Sequence, residues 1–87
     1  MIDVCATYGT KNGQLNQVFQ DEGLTIQTLS VTLDECKEKC NEHRGCHSLS
    51  YCSPSSPMEC KLKTKIYHPS NTFKHDDRCT THYKLCL

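Results

Sequence analysis

The sequence lacks features that membrane-spanning proteins, nucleic-acid-binding proteins and two-domain enzymes require. It contains no tryptophan, and no apolar run approaches the roughly 20 residues of a membrane-spanning helix, so no membrane insertion is expected. Its 10 basic and 10 acidic residues cancel, which leaves no overall field to attract nucleic acid or anionic lipid. With 87 residues, the chain is too short for a two-domain enzyme with a cleft between its lobes.

A chain of this size also has little apolar material from which to build a core. Only 36% of its residues are hydrophobic, even when the cysteines are counted among them. A domain of this length buries roughly 60–65% of the surface that its unfolded chain exposes, which leaves it marginally stable without cross-links. We therefore expect one small domain that depends on something other than its hydrophobic interior.

Cysteine is the residue present in excess. There are eight, an even number that fits complete pairing as disulfides. Disulfides persist in oxidising compartments, so the predicted location is secreted or extracellular. The residues after Met1 form neither a basic nor an apolar stretch, so no signal peptide is predicted. We expect residues 1–87 to be one module, with a core over 5–86, of a larger multidomain secreted protein.

A helix is predicted to begin after Thr32. Thr32 and Glu35 have the spacing of a capping box, in which the hydroxyl accepts the glutamate amide and the carboxylate reaches back to the threonine amide. Gly45 predicts that the helix ends two or three residues before it. Cys36 and Cys40 fall on one face of this helix, so sulfur is expected to hold it to the core.

Short strands are predicted after the helix. Residues 59–66 alternate, with Cys60 and Leu62 on one face and lysines on the other, and this is the clearest strand in the sequence. Residues 47–51 and 81–85 carry shorter patterns of the same kind. One helix among several short strands indicates an α+β domain, in which a single helix packs on an antiparallel β-sheet.

Eight cysteines allow about a hundred pairings, and spacing alone does not choose among them. A helical cysteine can face the strand beside it, a small loop can close across a glycine turn, and the outermost cysteines can join the two ends. These arguments favour four pairs: Cys36–Cys60, Cys40–Cys46, Cys5–Cys86 and, by elimination, Cys52–Cys79. Each loop is worth at most roughly 2–4.5 kcal/mol by the chain-entropy relation, so the disulfides are expected to decide whether the domain folds.

The cysteines and their neighbours also follow a distinctive order. Two cysteines lie on the predicted helix, a third precedes a strand with an aromatic residue, and Cys60 opens a Cys-x-Leu-Lys sequence. This order, carried by residues 32–63, resembles the PAN/apple domain family, and the first and last cysteines match the family's outermost pair. The resemblance implies a disulfide-rich fold with a helix cradled by an antiparallel sheet, and three of the four pairs. Cys52 and Cys79 are extra to the basic pattern.

The resemblance implies binding rather than catalysis. PAN/apple modules occur in plasma proteases, leech platelet inhibitors and microneme adhesins of apicomplexan parasites, and their ligands are proteins or carbohydrates, including heparin and galactosides. The expected function is a monomeric, non-catalytic extracellular module for adhesion or recognition. Its expected partner is a protein or a glycan, with a sulfated glycan and a galactoside both compatible. The alternative is a structural spacer in a multidomain adhesin, with no ligand of its own.

The candidate ligand-binding residues are basic and aromatic. Lys61, Lys63 and Lys65 are predicted to form a positive ridge on one strand face, where sulfate groups of a glycan would bind. The ordinary alternative is a solvated strand face whose lysines discourage aggregation. The other candidates are two residues that would extend the ridge and two tyrosines in loops, namely Arg44, His47, Tyr8 and Tyr67.

No catalytic site, metal site or cofactor is expected. A nucleophilic cysteine needs a free thiol, and all eight are predicted to be oxidised. The cysteine spacings also lack the paired knuckles of common zinc sites. His68, His75 and His82 are expected at the surface. The run His75-Asp76-Asp77 offers a possible histidine–aspartate dyad, but adjacent residues on a polar loop do not reliably present their side chains to each other, so no dyad is expected.

Overall fold

The computed structural model describes residues 7–21, 23–52 and 58–85. Within these ranges lie one α-helix, one 3-10 turn and seven strands. In chain order the elements are β1 (Tyr8–Gly9), the 3-10 turn (Lys11–Gly13), β2 (Gln17–Phe19), β3 (Thr25–Leu29), α1 (Leu33–Glu42), β4 (Ser48–Cys52), β5 (Glu59–Lys63), β6 (Phe73–His75) and β7 (Cys79–Lys84). The predicted α+β class, a helix with antiparallel strands, is confirmed.

Five strands form the main sheet, in the order β1-β7-β4-β5-β3, and every pair is antiparallel. The strand β4 lies at its centre, where Leu49 is opposite Leu62 on one side and His82 on the other. The strands β2 and β6 form a separate two-stranded ribbon. At the edge strand β3 the register shifts between Thr25 and Gln27, an irregularity that sheet edges often carry.

The helix α1 has the limits that the capping residues predict. Thr32 Oγ1 accepts the Glu35 amide at 3.3 Å, and the same hydroxyl donates to Glu35 Oε1 at 3.0 Å. The carboxylate therefore reaches the threonine hydroxyl. The last helical residue is Glu42, shortly before Gly45. The helix packs across β4 and β5, so one face of the main sheet is covered.

Sulfur supplies much of the core between the helix and the sheet. The buried cluster consists of four cysteines and two leucines: Cys36, Cys40, Cys46, Leu49, Cys60 and Leu62. Partly buried side chains pack around it, among them Ile26, Leu33 and Tyr51. The buried residues of the helix itself are its two half-cystines. Burying apolar groups contributes here, but covalent bonds fix where the helix lies.

The β2–β6 ribbon brings aromatic side chains to the other face of the main sheet. The ring of Phe19 is buried and lies 4.8 Å from the ring of Phe73 and 6.4 Å from that of Tyr83. The Phe19 amide donates to Thr81 Oγ1 at 3.2 Å, which joins β2 to β7. With the helix on one face and this ribbon on the other, β7 is buried along both of its faces from residue 80 to 84.

Three of the four predicted disulfides are present in the described part of the chain. Cys36–Cys60 joins α1 to β5, Cys40–Cys46 closes the turn after the helix, and Cys52–Cys79 joins β4 to β7. The predicted pair Cys5–Cys86 lies outside the described residues.

The strand predicted over residues 59–66 is shorter in the structure. It ends at Lys63, because its neighbour β4 begins at Ser48, directly opposite that lysine. Just beyond this point the Thr64 amide donates to the Leu24 carbonyl at 3.1 Å, in the segment that precedes β3. The last predicted residues of the strand, Lys65 and Ile66, therefore lie outside the sheet.

Replacing each fully buried disulfide by two alanines is expected to destabilise the domain in proportion to the loop that it closes. Removing Cys36–Cys60 should cost up to about 3.5 kcal/mol and removing Cys40–Cys46 up to about 2.3 kcal/mol of unfolding free energy, since the sequence separations are 24 and 6. Both pairs are 0% exposed, so the two variants are matched in burial. Urea unfolding measures both, and a larger loss for the shorter loop would contradict the loop-length explanation.

Candidate binding cleft

The lysines predicted to form a basic ridge do not share a solvated surface. Lys63 is only 6% exposed, and its Nζ donates to Thr25 Oγ1 at 2.6 Å on the neighbouring strand. The residue lies on the sheet face opposite the helix, as the alternation predicted, but that face is covered at this position. The prediction that Lys63 projects into solvent is therefore wrong.

The other two lysines are each close to a carboxylate. Lys61 Nζ lies 3.2 Å from Glu59 Oε1, two residues earlier on the same strand. Lys65, beyond the end of the strand, lies 4.0 Å from Asp21 Oδ2. Exposed ion pairs of this kind contribute little stability, but they do offset the positive charge. The structure thus separates the three lysines and leaves no continuous basic ridge along β5.

The two tyrosine candidates have contacts within the domain. Tyr8 Oη donates to Asn41 Oδ1 at 2.7 Å, which ties β1 to the helix. Tyr67 stacks on Tyr83 with ring centroids 3.9 Å apart and nearly parallel planes. Both tyrosines are partly buried, and these contacts account for their burial.

Arg44 and His47 flank the turn after the helix. Arg44 is exposed, whereas His47 is half-buried. The backbone of His47 bridges two strands, because its amide donates to the Lys63 carbonyl at 3.0 Å and its carbonyl accepts the Lys84 amide at 3.1 Å. Neither residue lines the cleft that contains His82.

That cleft, of about 490 Å³, opens between the helix, β4 and the start of β7. We call it the β7 cleft. Its lining residues come from four parts of the chain: Leu15 and Asn16 before β2, Leu33 from the first turn of α1, Tyr51 from β4, and Asp77, Arg78, Thr80 and His82 from the β6–β7 turn and β7. Polar, charged and aromatic side chains that are distant in sequence thus lie together in this cleft.

Hydrogen bonds hold the rim of the β7 cleft in place. Asn16 donates from its amide to Thr80 Oγ1 at 2.8 Å and from Nδ2 to the Asp77 carbonyl at 3.0 Å. Its backbone has φ of 63°, a left-handed conformation that asparagine tolerates better than most residues. In the facing turn, Asp76 Oδ1 accepts the amides of Arg78 and Cys79 at 2.9 and 3.2 Å. Hydrogen bonds within the chain therefore order the rim.

The loop pair His75 and Asp77 makes a contact that the sequence argument did not anticipate. His75 Nε2 lies 2.6 Å from Asp77 Oδ1, so the side chains do face each other. Residue 75 ends β6 and residue 77 lies in the turn, which lets the chain curl and bring the two together. Both side chains are largely exposed, so the contact is a surface hydrogen bond rather than a desolvated catalytic dyad.

His82 belongs to the buried wall of the β7 cleft, and its predicted surface position is wrong. The imidazole is only 8% exposed, since its place opposite Leu49 puts it on the helix side of β7. Burial first, and then the positive charge of Lys37, lower the pKa of His82 from 6.5 to about 4. The ring is therefore neutral at pH 7. Alternation did not reveal this burial because β7 is covered on both faces.

The β7 cleft is chemically mixed. Leu15 is 67% exposed at the rim, and Tyr51 forms part of the wall with Oη donating to Met58 Sδ at 3.0 Å. One cation, Arg78, and one anion, Asp77, are both exposed. A tyrosine ring and a guanidinium are side chains that recur at binding hot spots, and the exposed leucine adds apolar surface beside them. This arrangement suits a ligand with both apolar and polar groups.

Two other features are absent from the described residues. No group of three or more histidine, cysteine or acidic side chains is placed to hold a metal ion. No described helix has the length and apolar character needed to span a bilayer.

A family model described as the PAN domain matches residues 10–86. The chain belongs to the PAN domain family. The resemblance seen in the cysteine order is thereby confirmed, and the helix, the antiparallel sheets and the three disulfides are consistent with the PAN/apple fold. PAN domains are generally non-catalytic modules that bind proteins or carbohydrates. Comparisons with curated proteins and with solved structures gave no match.

The buried histidine makes the stability of this PAN domain depend on pH. Because the folded-state pKa of His82 is about 4, below the unfolded value of 6.5, the unfolded chain binds more protons between these values. The stabilisation is full above pH 6.5 and is lost as the pH falls towards 4. From pH 7.5 to 5 we expect His82 to lower the unfolding free energy by on the order of 1–2 kcal/mol.

Urea unfolding at the two pH values measures this effect in the native chain and in His82→Gln. The glutamine variant should lose that part of the pH dependence, whereas His68→Gln, a change at an exposed histidine, should keep it. The same pH dependence in all three proteins would show that other groups cause it.

Proposed function

We propose that this PAN domain is a non-catalytic extracellular recognition module that binds a protein or carbohydrate ligand in the β7 cleft. The family supports the ligand class, and three disulfides support an oxidising, extracellular setting. The observation that carries the proposal is the cleft itself, where exposed Leu15 and Arg78 stand above the wall formed by Tyr51 and His82.

The cleft is preorganised, and this favours binding. Its two rims are held by the hydrogen bonds of Asn16 and Asp76, and a disulfide at Cys79 joins the start of β7 to β4. A site that is already ordered spends less binding free energy on fixing side chains and loops. Most of the free energy gained by burying Leu15 and Arg78 under a ligand is then available for binding.

The charges favour a neutral or zwitterionic ligand over a polyanion. Asp77 lies in the cleft with Arg78, and on β5 the lysines are compensated or buried. A sulfated glycan would need several cations on one surface. A neutral sugar or an exposed protein loop instead fits one aromatic wall, one guanidinium and one carboxylate. We therefore propose that binding depends only weakly on ionic strength.

Two single substitutions test the cleft against arrays of neutral glycans, sulfated glycans and extracellular protein domains. Leu15→Ser and Arg78→Ala are each expected to reduce binding at least about tenfold, the loss typical of a hot-spot residue. The matched control is Leu24→Ser, because Leu24 is 75% exposed and Leu15 is 67% exposed, while Leu24 does not line the cleft.

Three results would overturn the proposal. Equal losses in Leu15→Ser and Leu24→Ser would move the site elsewhere. The domain could instead bind sulfated glycans in a way that weakens with salt and with Lys61→Glu, but not with Leu15→Ser. That result would place the binding site at the lysines of β5. Binding to no member of any of the three arrays would support the structural spacer.

A further inference from the structure

The three described disulfides differ sharply in exposure. All four sulfur-bearing residues of Cys36–Cys60 and Cys40–Cys46 are 0% exposed. In the third disulfide, Cys52 is 7% exposed and Cys79 is only half-buried. Thiol–disulfide exchange requires that a thiolate reach a sulfur along the S–S axis, so exposure decides which of the three can react while the domain stays folded.

The partly exposed disulfide, Cys52–Cys79, also borders a groove. Cys52 and Cys79 lie directly opposite each other at the ends of β4 and β7. Beside them is a groove of about 300 Å³ with polar walls, lined by Glu59, Lys61, Asp76 and Arg78 together with the two cysteines. It has room for a small thiol. The buried disulfides, in contrast, lie inside the core cluster between helix and sheet.

We propose that Cys52–Cys79 is a thiol-exchange site, opened selectively in the folded domain by a dithiol reductant that reaches Cys79 through this groove. The reductant is a small dithiol or a protein with a Cys-x-x-Cys pair. Its thiolate attacks Cys79 Sγ, the S–S bond breaks, and Cys52 leaves as a thiolate that takes a proton from water. The second thiol of the reductant then displaces Cys79, so that two electrons and two protons pass to the domain and the reductant becomes a disulfide.

The folded domain has other links that survive this reaction. The strands β4 and β7 are paired along their whole common length, from Ser48 with Tyr83 to Cys52 with Cys79. The turn before β7 is held by Asp76, which accepts two backbone amides. Cys36–Cys60 still ties the helix to the sheet, and Cys40–Cys46 still closes the turn after the helix. Reduction at this site is thus expected to leave the architecture in place.

The selectivity is tested by treating the native protein with limiting dithiothreitol, trapping free thiols with an alkylating reagent and locating them by peptide mass spectrometry. Cys52 and Cys79 should be labelled at least about a hundredfold faster than the four buried cysteines, because a buried disulfide reacts only after the structure opens. The far-ultraviolet circular dichroism should be retained at that stage. Simultaneous labelling of all six cysteines, or labelling of the buried pairs first, would overturn the proposal.

The route of attack is tested with a Cys-x-x-Cys reductase whose second cysteine is replaced by serine, so that the mixed disulfide persists. The reductase should be found on Cys79 in the folded domain. Attachment to Cys52 alone would overturn the assignment of the attacked sulfur. The double variant Cys52→Ser/Cys79→Ser lacks the attacked disulfide. It should therefore not form the adduct as fast as the native chain does.

A variant that removes one charge from the groove distinguishes attack through the groove from a general opening of the fold. Glu59 lies directly opposite Cys52 in the register, and its carboxylate is 3.2 Å from Lys61 Nζ in the same groove. Removing that carboxylate leaves the lysine charge uncompensated, which favours the approach of a thiolate. Glu59→Gln is expected to speed exchange by about threefold at low salt, and less at high salt. Glu38→Gln, a change on the exposed helix face, is the matched control. Equal acceleration in both variants would show that the groove does not direct the attack.

Discussion

The structure depends on a helix that is covalently held to its sheet. The bond from Cys36 to Cys60 joins α1 to β5, and Cys40–Cys46 fixes the turn that leads from the helix into the next strand. Both bonds lie at the centre of the apolar cluster. A chain with 36% hydrophobic residues cannot bury enough surface to offset the entropy of ordering its loops. Cross-links reduce that entropy in the unfolded state.

A frame of this kind allows the rest of the chain to be irregular. The segment before β3 and the turn before β7 have little regular structure, yet both are ordered by side-chain hydrogen bonds to β7 and to each other. The β7 cleft forms where these segments meet the helix. The third disulfide belongs to this region rather than to the core, which explains how one type of bond can be inert in one place and accessible in another.

Local patterns predicted the features that depend on neighbouring residues. The helix limits follow from Thr32, Glu35 and Gly45, and three disulfides follow from the placement of cysteines on expected elements. Predictions that assumed one covered and one solvated sheet face were wrong. Lys63 and His82 are both buried, because the helix covers one face of the sheet, aromatic residues of the ribbon cover part of the other, and Lys63 is closed in beside β3. A period of two then does not separate inside from outside.

The sequence by itself determined the class of the domain, its family and its cross-linked core, since these follow from cysteine spacing, capping residues and short-range periodicity. Only the tertiary structure decided where a ligand can bind. The β7 cleft joins residues such as Asn16 and Asp77, which are 61 positions apart, and none of its side chains carries a local signal. Their meeting is a consequence of strand order and of the path of the ribbon around β7, which the spacing of residues along the chain does not encode.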